Sequence, residues 1–217
     1  MAKFALACEG ITDQIAIENI LCGFYKDYSD LDEEIHPLQP PYDATTRKQK
    51  EGEFGGWEML FQYLSEKRFR DDVLNSEYLI IQIDSDISEH PNFSVSHSDS
   101  NNNELSIDAL IENITKRLIE KIDTKKDFYQ RYKEKIIFAI SVHDLECWIL
   151  PHYATYKKEK IKGCSKALKI ALKQPITKTY HDYDKLTKPL SKPKNLSKVI
   201  LKNKSLEIFI NNLPKEI

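Results

Sequence analysis

Three short apolar segments interrupt an otherwise charged sequence, and they restrict the possible folds more than any other feature. They are KFALAC (3–8), EYLIIQIDSD (77–86) and KIIFAISV (135–142). Each has the length of a buried strand, whereas the stretches between them carry apolar residues at helical spacing. Strands that alternate with helices predict a mostly parallel sheet covered by helices on both faces. The sequence therefore predicts an α/β fold.

The stretches between the strands indicate helices and loops. Helical spacing of apolar residues predicts helices at 11–24, 57–69 and 105–122, and one more directly after the third strand. Proline and glycine make residues 36–56 a loop, with a possible short strand at 35–39. Residues 88–104 are polar and rich in turn formers, which predicts a mobile surface loop.

The last third of the chain differs from the rest in composition. Short lysine-rich stretches follow Pro151 and are interrupted at Pro175, Pro189 and Pro193, which predicts a series of short helices. A chain of 217 residues suits one α/β domain with a small appendage. We therefore expect an α/β domain at 1–152 and a basic, mainly helical segment at 153–217.

The charge of the chain is segregated between these two parts. The net charge is −2, yet residues 151–217 hold 16 lysines against 5 acidic side chains, and the other 150 residues hold 16 basic and 29 acidic ones. Such segregation is typical of a polyanion-binding surface, the alternative being a solvated lysine-rich face. The lysines that begin the basic segment, Lys157, Lys158, Lys160, Lys162 and Lys166, are the predicted nucleic-acid contacts.

Composition also indicates the compartment. No apolar run reaches the roughly 18 residues of a membrane span, and the N-terminal apolar stretch is shorter than that of a signal peptide. The four cysteines, Cys8, Cys22, Cys147 and Cys164, contain no C-x-x-C pair. Without a secretory signal, reduced thiols and a cytoplasmic location are expected.

Each predicted strand ends in acidic side chains. The acids are Glu9 and Asp13 after the first strand, Asp84 and Asp86 at the end of the second, and Asp144 and Glu146 after the third. Parallel strands bring their carboxyl ends to one edge of the sheet, where ligands bind. Taken singly, each acid has an ordinary explanation, as a turn former or as a partner of a helix dipole.

Together these acids indicate a divalent-metal site. Neighbouring carboxylates resist ionising together unless a cation holds them, and Mg²⁺ prefers hard oxygen ligands. Asp84 and Asp86 lie two residues apart, so an extended chain projects both to the same side. Gly10 permits a tight turn and the close approach of a phosphate, or serves as a plain turn residue. Gln82 is polar within an apolar strand, and its sequence context suggests no role for it.

The order of these motifs resembles the Toprim domain that topoisomerases, primases, small ribonucleases and OLD-family nucleases share. The resemblance rests on FALACEGITD and YLIIQIDSD, with IIFAISVHDLECWIL as a weaker third element. It implies a Rossmann-like, Toprim-like catalytic domain at 1–152. Small stand-alone bacterial Toprim proteins are also similar around LECWIL.

The resemblance implies roles for individual residues. Glu9 matches the family's glutamate, a general acid/base or metal ligand, and Asp84 and Asp86 match its Mg²⁺-binding pair. Asp13 fits an additional acid of OLD-type sites, which use two metals. Glu146 is preferred over Asp144 as the acid after the third strand. An assisting lysine is also implied, but the 16 lysines of the last third leave it unidentified.

These implied roles predict a nuclease that uses one or two Mg²⁺ or Mn²⁺ ions to hydrolyse phosphodiester bonds, in DNA rather than RNA. OLD nucleases carry an ATPase domain, whereas this sequence has no G-x-x-x-x-G-K-[ST] motif. A separate ATPase partner and a role in bacterial defence against phage are therefore implied, with no membrane partner.

Two other functions are compatible with the same acids. One is a small ribonuclease for structured RNA, and the other is a non-catalytic Toprim module that binds nucleic acid or regulates an ATPase. A degenerate module is expected to have lost Glu9 or an aspartate, and all of them are present. A phosphatase of the haloacid-dehalogenase type fits poorly, because it carries its Asp-x-Asp motif on the first strand.

Overall fold

The computed structural model describes residues 2–41, 55–156, 159 and 161–217. Its sheet has four strands: β1 (Ala2–Ala7), β2 (Ile35–Gln39), β3 (Ser76–Asp84) and β4 (Ile136–Ser141). Their order is β2-β1-β3-β4, and all neighbouring strands are parallel. The predicted α/β fold with a parallel sheet is thereby confirmed, together with the short strand at 35–39. The topology is consistent with a Rossmann-like or Toprim-like fold.

Ten helices accompany the sheet in the described part of the chain. They are α1 (Ile11–Phe24), α2 (Trp57–Ser65), α3 (Lys67–Asn75), α4 (Ile107–Ile122), α5 (Asp127–Tyr132), α6 (Glu146–Tyr153), α7 (Cys164–Leu172), α8 (Tyr180–Thr187), α9 (Pro193–Ile200) and α10 (Lys204–Asn211). The helix predicted at 57–69 ends earlier, because Glu66 takes an extended conformation and the chain begins again as α3. None of these helices is long and apolar enough to cross a membrane.

Both faces of the sheet are covered, because successive strand residues point to opposite sides. Phe4, Leu6 and Ile80 face a hydrophobic cluster formed with α1 and with helices α6 to α10. Ala5 and Ile81 face the opposite cluster, formed with α2, α3 and α4. The inner parts of β1, β3 and β4 are therefore largely apolar on both sides, as expected for a sheet that is covered on both faces.

The basic C-terminal segment packs on the first of these faces. Helix α8 and the 3₁₀ turn Lys188–Ser191 pack against α1. Helices α7 and α9 pack against α6, and α10 packs against β4. The Nε1–H of buried Trp148 donates a hydrogen bond to Ser205 Oγ (2.7 Å), and its ring stacks on Phe209. The segment thus shares a core with the sheet, and the division at residue 152 stays a prediction.

Two of the four cysteines are paired, which corrects the expectation of four reduced thiols. Cys147 in α6 and Cys164 at the start of α7 form a disulfide, whereas Cys8 and Cys22 are free. The two partners are 17 residues apart in sequence. They meet because α7 folds back onto α6, an arrangement that the spacing of the cysteines does not reveal.

The loop at 88–104 is anchored more firmly than its polar sequence predicts. Phe93 is fully buried and packs against the rings of Phe61 and Trp57. His97 Nε2 lies 2.8 Å from the backbone oxygen of Ser85, directly after β3. This loop therefore packs against the carboxyl end of β3.

The strand order creates a topological switch point between β1 and β3. After β1 the chain continues through α1 to β2, which pairs with one side of β1. Strand β3 pairs with the other side of β1. Connections that leave in opposite directions open a crevice beyond the carboxyl ends of the two strands, which is where α/β proteins bind ligands.

Gly23 offers a test of the packing between α1 and the C-terminal segment. A Cβ at this position would lie 2.1 Å from the backbone oxygen of Leu190. We expect Gly23→Ala to lower the free energy of unfolding by about 1–3 kcal/mol through overpacking, as measured by urea denaturation. At a solvent-exposed helix position, replacing glycine by alanine would instead raise the free energy of unfolding by up to about 1 kcal/mol.

Leu201→Ala is the control, because Leu201 is 86% exposed at the end of α9 and should change stability by less than about 0.5 kcal/mol. A Gly23→Ala protein as stable as the parent would contradict the observed packing.

Candidate active site

Glu9 and Asp84 lie on either side of the switch point and are linked through Gln82. The backbone N–H of Glu9 donates to Gln82 Oε1 (3.3 Å), and Gln82 Nε2 donates to Asp84 Oδ1 (3.0 Å). The backbone N–H of Asp84 lies 3.4 Å from Glu9 Oε2, which accepts it. Gln82 is fully buried in β3, so its amide fixes the separation of the two strand ends. This contact gives the polar residue within the strand a structural role.

The carboxylate of Asp84 is also tied to the third acidic strand end. Its Oδ2 accepts a hydrogen bond from the backbone N–H of Leu145 (3.2 Å), the residue before α6. Both oxygens of Asp84 therefore have a donor from the protein. Its orientation is set before any ligand binds.

Asp86 occupies the rim of the crevice. Its side chain is exposed, and its backbone N–H donates to the carbonyl of His143 (3.0 Å). The backbone N–H of His143 in turn donates to Ser85 Oγ (2.7 Å). These bonds hold the segment after β3 against the segment after β4.

Asp13 lies in the first turn of α1 and is buried. A Cβ added at Gly10 would lie 2.9 Å from Asp13 Oδ2. The backbone of Gly10 is extended, so its conformation does not require glycine. Gly10 is small because the Asp13 carboxylate lies against it, and its predicted role in phosphate approach stays a prediction.

Glu146 begins α6 and is almost completely buried. Its Oε1 accepts a short hydrogen bond from the hydroxyl of Tyr183 in α8. Burial and the charge of Glu146 raise the pKa of Tyr183 well above its usual value, so this hydroxyl keeps its proton. Tyr183 could not be predicted as a site residue from the sequence, because it is one of 11 tyrosines and belongs to no recognisable motif.

Lys178 is the second residue that the sequence analysis missed. It lies between α7 and α8 on a largely exposed stretch, and its charge acts on the acid cluster, which is formed by Glu9, Asp13, Asp84, Asp86 and Glu146. Partial desolvation of the ammonium opposes its charged form, but the carboxylates of Glu146, Asp13 and Asp84 outweigh this effect and raise the pKa of Lys178. A lysine among 16 in one segment becomes recognisable only when the fold places it beside the acids.

The acids strongly perturb one another. Burial, with the charges of Glu9 and Glu146, raises the pKa of Asp13 to about 8. Burial also raises the pKa of Glu9 to about 7, and burial with the neighbouring carboxylates holds that of Asp84 well above its usual value. The carboxylates are therefore close enough to disfavour one another's ionisation, which a bound cation would reverse.

The donor set fits a hard divalent cation. Glu9, Asp13, Asp84, Asp86 and Glu146 offer only carboxylate oxygens, the ligands that Mg²⁺ and Mn²⁺ prefer. No three of these described acids bring donor atoms within 4.8 Å of one another. That spread suits ions that bind one or two carboxylates each and complete their shells with water or phosphate.

The predicted nucleic-acid contacts are only partly described. Lys157, Lys158 and Lys160 lie outside the described residues. Lys162 forms an ion pair with Glu104 (2.6 Å), so part of its charge is neutralised within the protein. Lys166 lies on α7, the helix that the disulfide joins to α6.

Comparisons of the chain with models of known protein families, with curated proteins and with solved structures gave no match.

The raised pKa values predict how the stability of the metal-free protein depends on pH. A carboxyl whose pKa is higher in the folded protein binds more protons folded than unfolded, so stability falls as pH rises through this interval. For Glu9 and Asp13 the interval runs from about 4, the unfolded value, to about 7 and about 8. We expect the Tm in EDTA to fall between about pH 5 and pH 8.

Mg²⁺ should raise the Tm at pH 8 and flatten this dependence, because a cation favours the ionised acids. Asp13→Asn removes one repelling charge and should raise the Tm in EDTA at pH 8 while reducing the effect of Mg²⁺. A Tm that rises with pH in EDTA, or that does not change when Mg²⁺ is added, would contradict the claim that these carboxylates repel one another and bind a cation.

Proposed function

We propose that the protein is a divalent-metal-dependent nuclease that hydrolyses phosphodiester bonds, with DNA as the preferred substrate. The observation that carries the proposal is the acid cluster with Lys178 at the switch point of a parallel sheet. Three strand ends, of β1, β3 and β4, contribute to it. Such a crevice is the ligand-binding position of α/β folds, and its carboxylates and lysine match phosphoryl chemistry.

Glu9, Asp84 and Asp86, with Asp13 and Glu146, would hold one or two Mg²⁺ or Mn²⁺ ions. The bound metal would supply Lewis acidity, which neutralises charge on the phosphate and promotes ionisation of the attacking water. Gln82 and the backbone N–H of Leu145 keep Asp84 aimed at the crevice. Tyr183 does the same for Glu146.

Lys178 would stabilise the negative charge that develops on the phosphate in the transition state. The charges of Glu146, Asp13 and Asp84 raise the pKa of Lys178, so its ammonium stays protonated. Glu9 has a pKa of about 7 in the metal-free protein, in the range where a side chain exchanges protons at neutral pH. It is therefore the candidate general acid/base whenever it is not a metal ligand.

The proposed substrate and partners follow from the basic segment and from the sequence resemblance. The basic C-terminal segment suits a nucleic-acid backbone, and the similarity to OLD-type sequences favours DNA and a separate ATPase in phage defence. A structured-RNA ribonuclease uses the same chemistry and is the second candidate. A non-catalytic module is disfavoured, because a degenerate site has no need of Gln82 and Lys178 at the acids.

Cleavage assays test this proposal directly. Purified protein is incubated with supercoiled plasmid, linear DNA and structured RNA, in Mg²⁺, Mn²⁺ or EDTA. We expect metal-dependent cleavage that Asp84→Asn abolishes. Lys178→Gln should lower kcat by about 10²–10³-fold, the usual cost of removing one transition-state stabiliser.

Lys125→Gln is the matched control, since Lys125 lies between α4 and α5, away from the acids, and it should leave cleavage unchanged. The preferred substrate decides between the deoxyribonuclease and the ribonuclease. Absence of cleavage of every substrate, also with a candidate ATPase added, would contradict the proposal.

The basic segment is tested through the salt dependence of binding. Each phosphate contact that is lost reduces the slope of log affinity against log salt by about 1. We expect Lys166→Ala to weaken DNA binding by the Asp84→Asn protein and to reduce this slope. Lys162→Ala should have a smaller effect, because Lys162 is already paired with Glu104.

The measurement is fluorescence anisotropy with a labelled duplex at several salt concentrations. Equal slopes for Lys166→Ala and the parent would exclude Lys166 from the phosphate contacts.

A further inference from the structure

A second group of potential metal ligands lies beside the acid cluster. Asp144, Cys147 and Cys164 bring an oxygen and two sulfur atoms within 4.8 Å of one another. Asp144 follows β4, Cys147 lies in the first turn of α6, and Cys164 begins α7. In the oxidised protein the two sulfur atoms bond to each other, and a disulfide is not a metal ligand.

Asp144 provides an independent observation at the same place. Its Oδ1 is buried and has no hydrogen-bond partner in the structure. Buried polar atoms nearly always have a partner, and an unsatisfied carboxylate oxygen costs free energy. Asp144 as a whole residue is only partly buried.

We propose that the reduced forms of Cys147 and Cys164, with Asp144, bind one zinc-class divalent ion, and that oxidation to the disulfide releases it. Two thiolates and a carboxylate, with water as the fourth ligand, make a tetrahedral site of the kind that Zn²⁺ accepts. Soft sulfur ligands select Zn²⁺ over Mg²⁺, so this site is chemically distinct from the all-oxygen acid cluster. It does not depend on the proposed nuclease activity.

The chemistry balances with a small dithiol as the reductant. Thiol–disulfide exchange transfers two electrons and two protons from the dithiol, which becomes a cyclic disulfide, and leaves Cys147 and Cys164 as thiols. The metal ion then replaces the two thiol protons, which pass to solvent, and forms two metal–sulfur bonds. An oxidised dithiol reverses both steps and frees the ion.

The location links this site to the acid cluster. Cys147 directly follows Glu146, whose carboxylate accepts the hydrogen bond of Tyr183. Either the disulfide or the metal ion joins α6 to α7, whereas the reduced, metal-free protein has neither link. The disulfide and the metal ion are therefore two alternative links between α7, in the basic segment, and α6, the helix that carries Glu146.

Co²⁺ is the probe, because its thiolate complexes show a sulfur-to-metal charge-transfer band that oxygen ligands do not produce. The full chain is reduced with a dithiol, freed of it anaerobically, and titrated with Co²⁺ in excess Mg²⁺ to occupy the acid cluster. We expect a charge-transfer band that saturates at one ion per chain and that Zn²⁺ removes. The oxidised protein should show no band.

Variants identify the ligands. Cys164→Ser should abolish the band, and Cys22→Ser, which changes a free cysteine outside the group, should preserve it. Asp144→Asn keeps the shape of the side chain and should weaken Co²⁺ binding at least about tenfold, as the loss even of an outer-sphere partner does. Circular dichroism checks that each variant is folded.

Three results would overturn the proposal. They are a reduced parent protein without the band, a band of unchanged affinity in Asp144→Asn, and a disulfide that the dithiol fails to reduce in the folded protein.

Discussion

The mutual repulsion of carboxylates at one edge of the sheet is the constraint on which the rest of the structure depends. Glu9 and Asp84 end two adjacent parallel strands, and burial with their neighbours raises the pKa of both. Gln82 holds these strand ends at a fixed separation, and Lys178 supplies compensating charge. The repulsion between the acids lowers the free energy of unfolding, and the apolar clusters on both faces of the sheet offset this loss. This is the pattern expected where a site is organised for a cation.

The C-terminal segment completes the site, in addition to giving the molecule a basic surface. Tyr183 in α8 holds Glu146, and Lys178 lies on the stretch that leads into α8. Both depend on the packing of α8 against α1, whose first turn carries Asp13. The amino-terminal strands and the lysine-rich segment therefore form one packed structural unit, although their compositions differ sharply.

The apolar runs and the acids near their ends suffice to predict β1, β3 and β4, because the interior of a strand that is buried on both faces is largely apolar and acidic side chains are confined to its ends. The same local information could not identify Lys178 or Tyr183, whose surroundings are set by the packing of helices distant in sequence. The role of Gln82 required the register of β1 against β3. The Cys147–Cys164 disulfide was missed for the same reason, since only the return of α7 onto α6 brings the two sulfur atoms together.

The most direct test of the account is to locate bound Mn²⁺ by anomalous X-ray scattering from crystals grown with the ion. The account predicts one or two peaks in the crevice beyond β1 and β3, within coordination distance of Asp84 and at least one of Glu9 and Asp86. Asp84→Asn crystals should lack them. Crystals that hold no Mn²⁺ in the crevice, even when the ion is bound elsewhere, would contradict the claim that these acids form a metal centre.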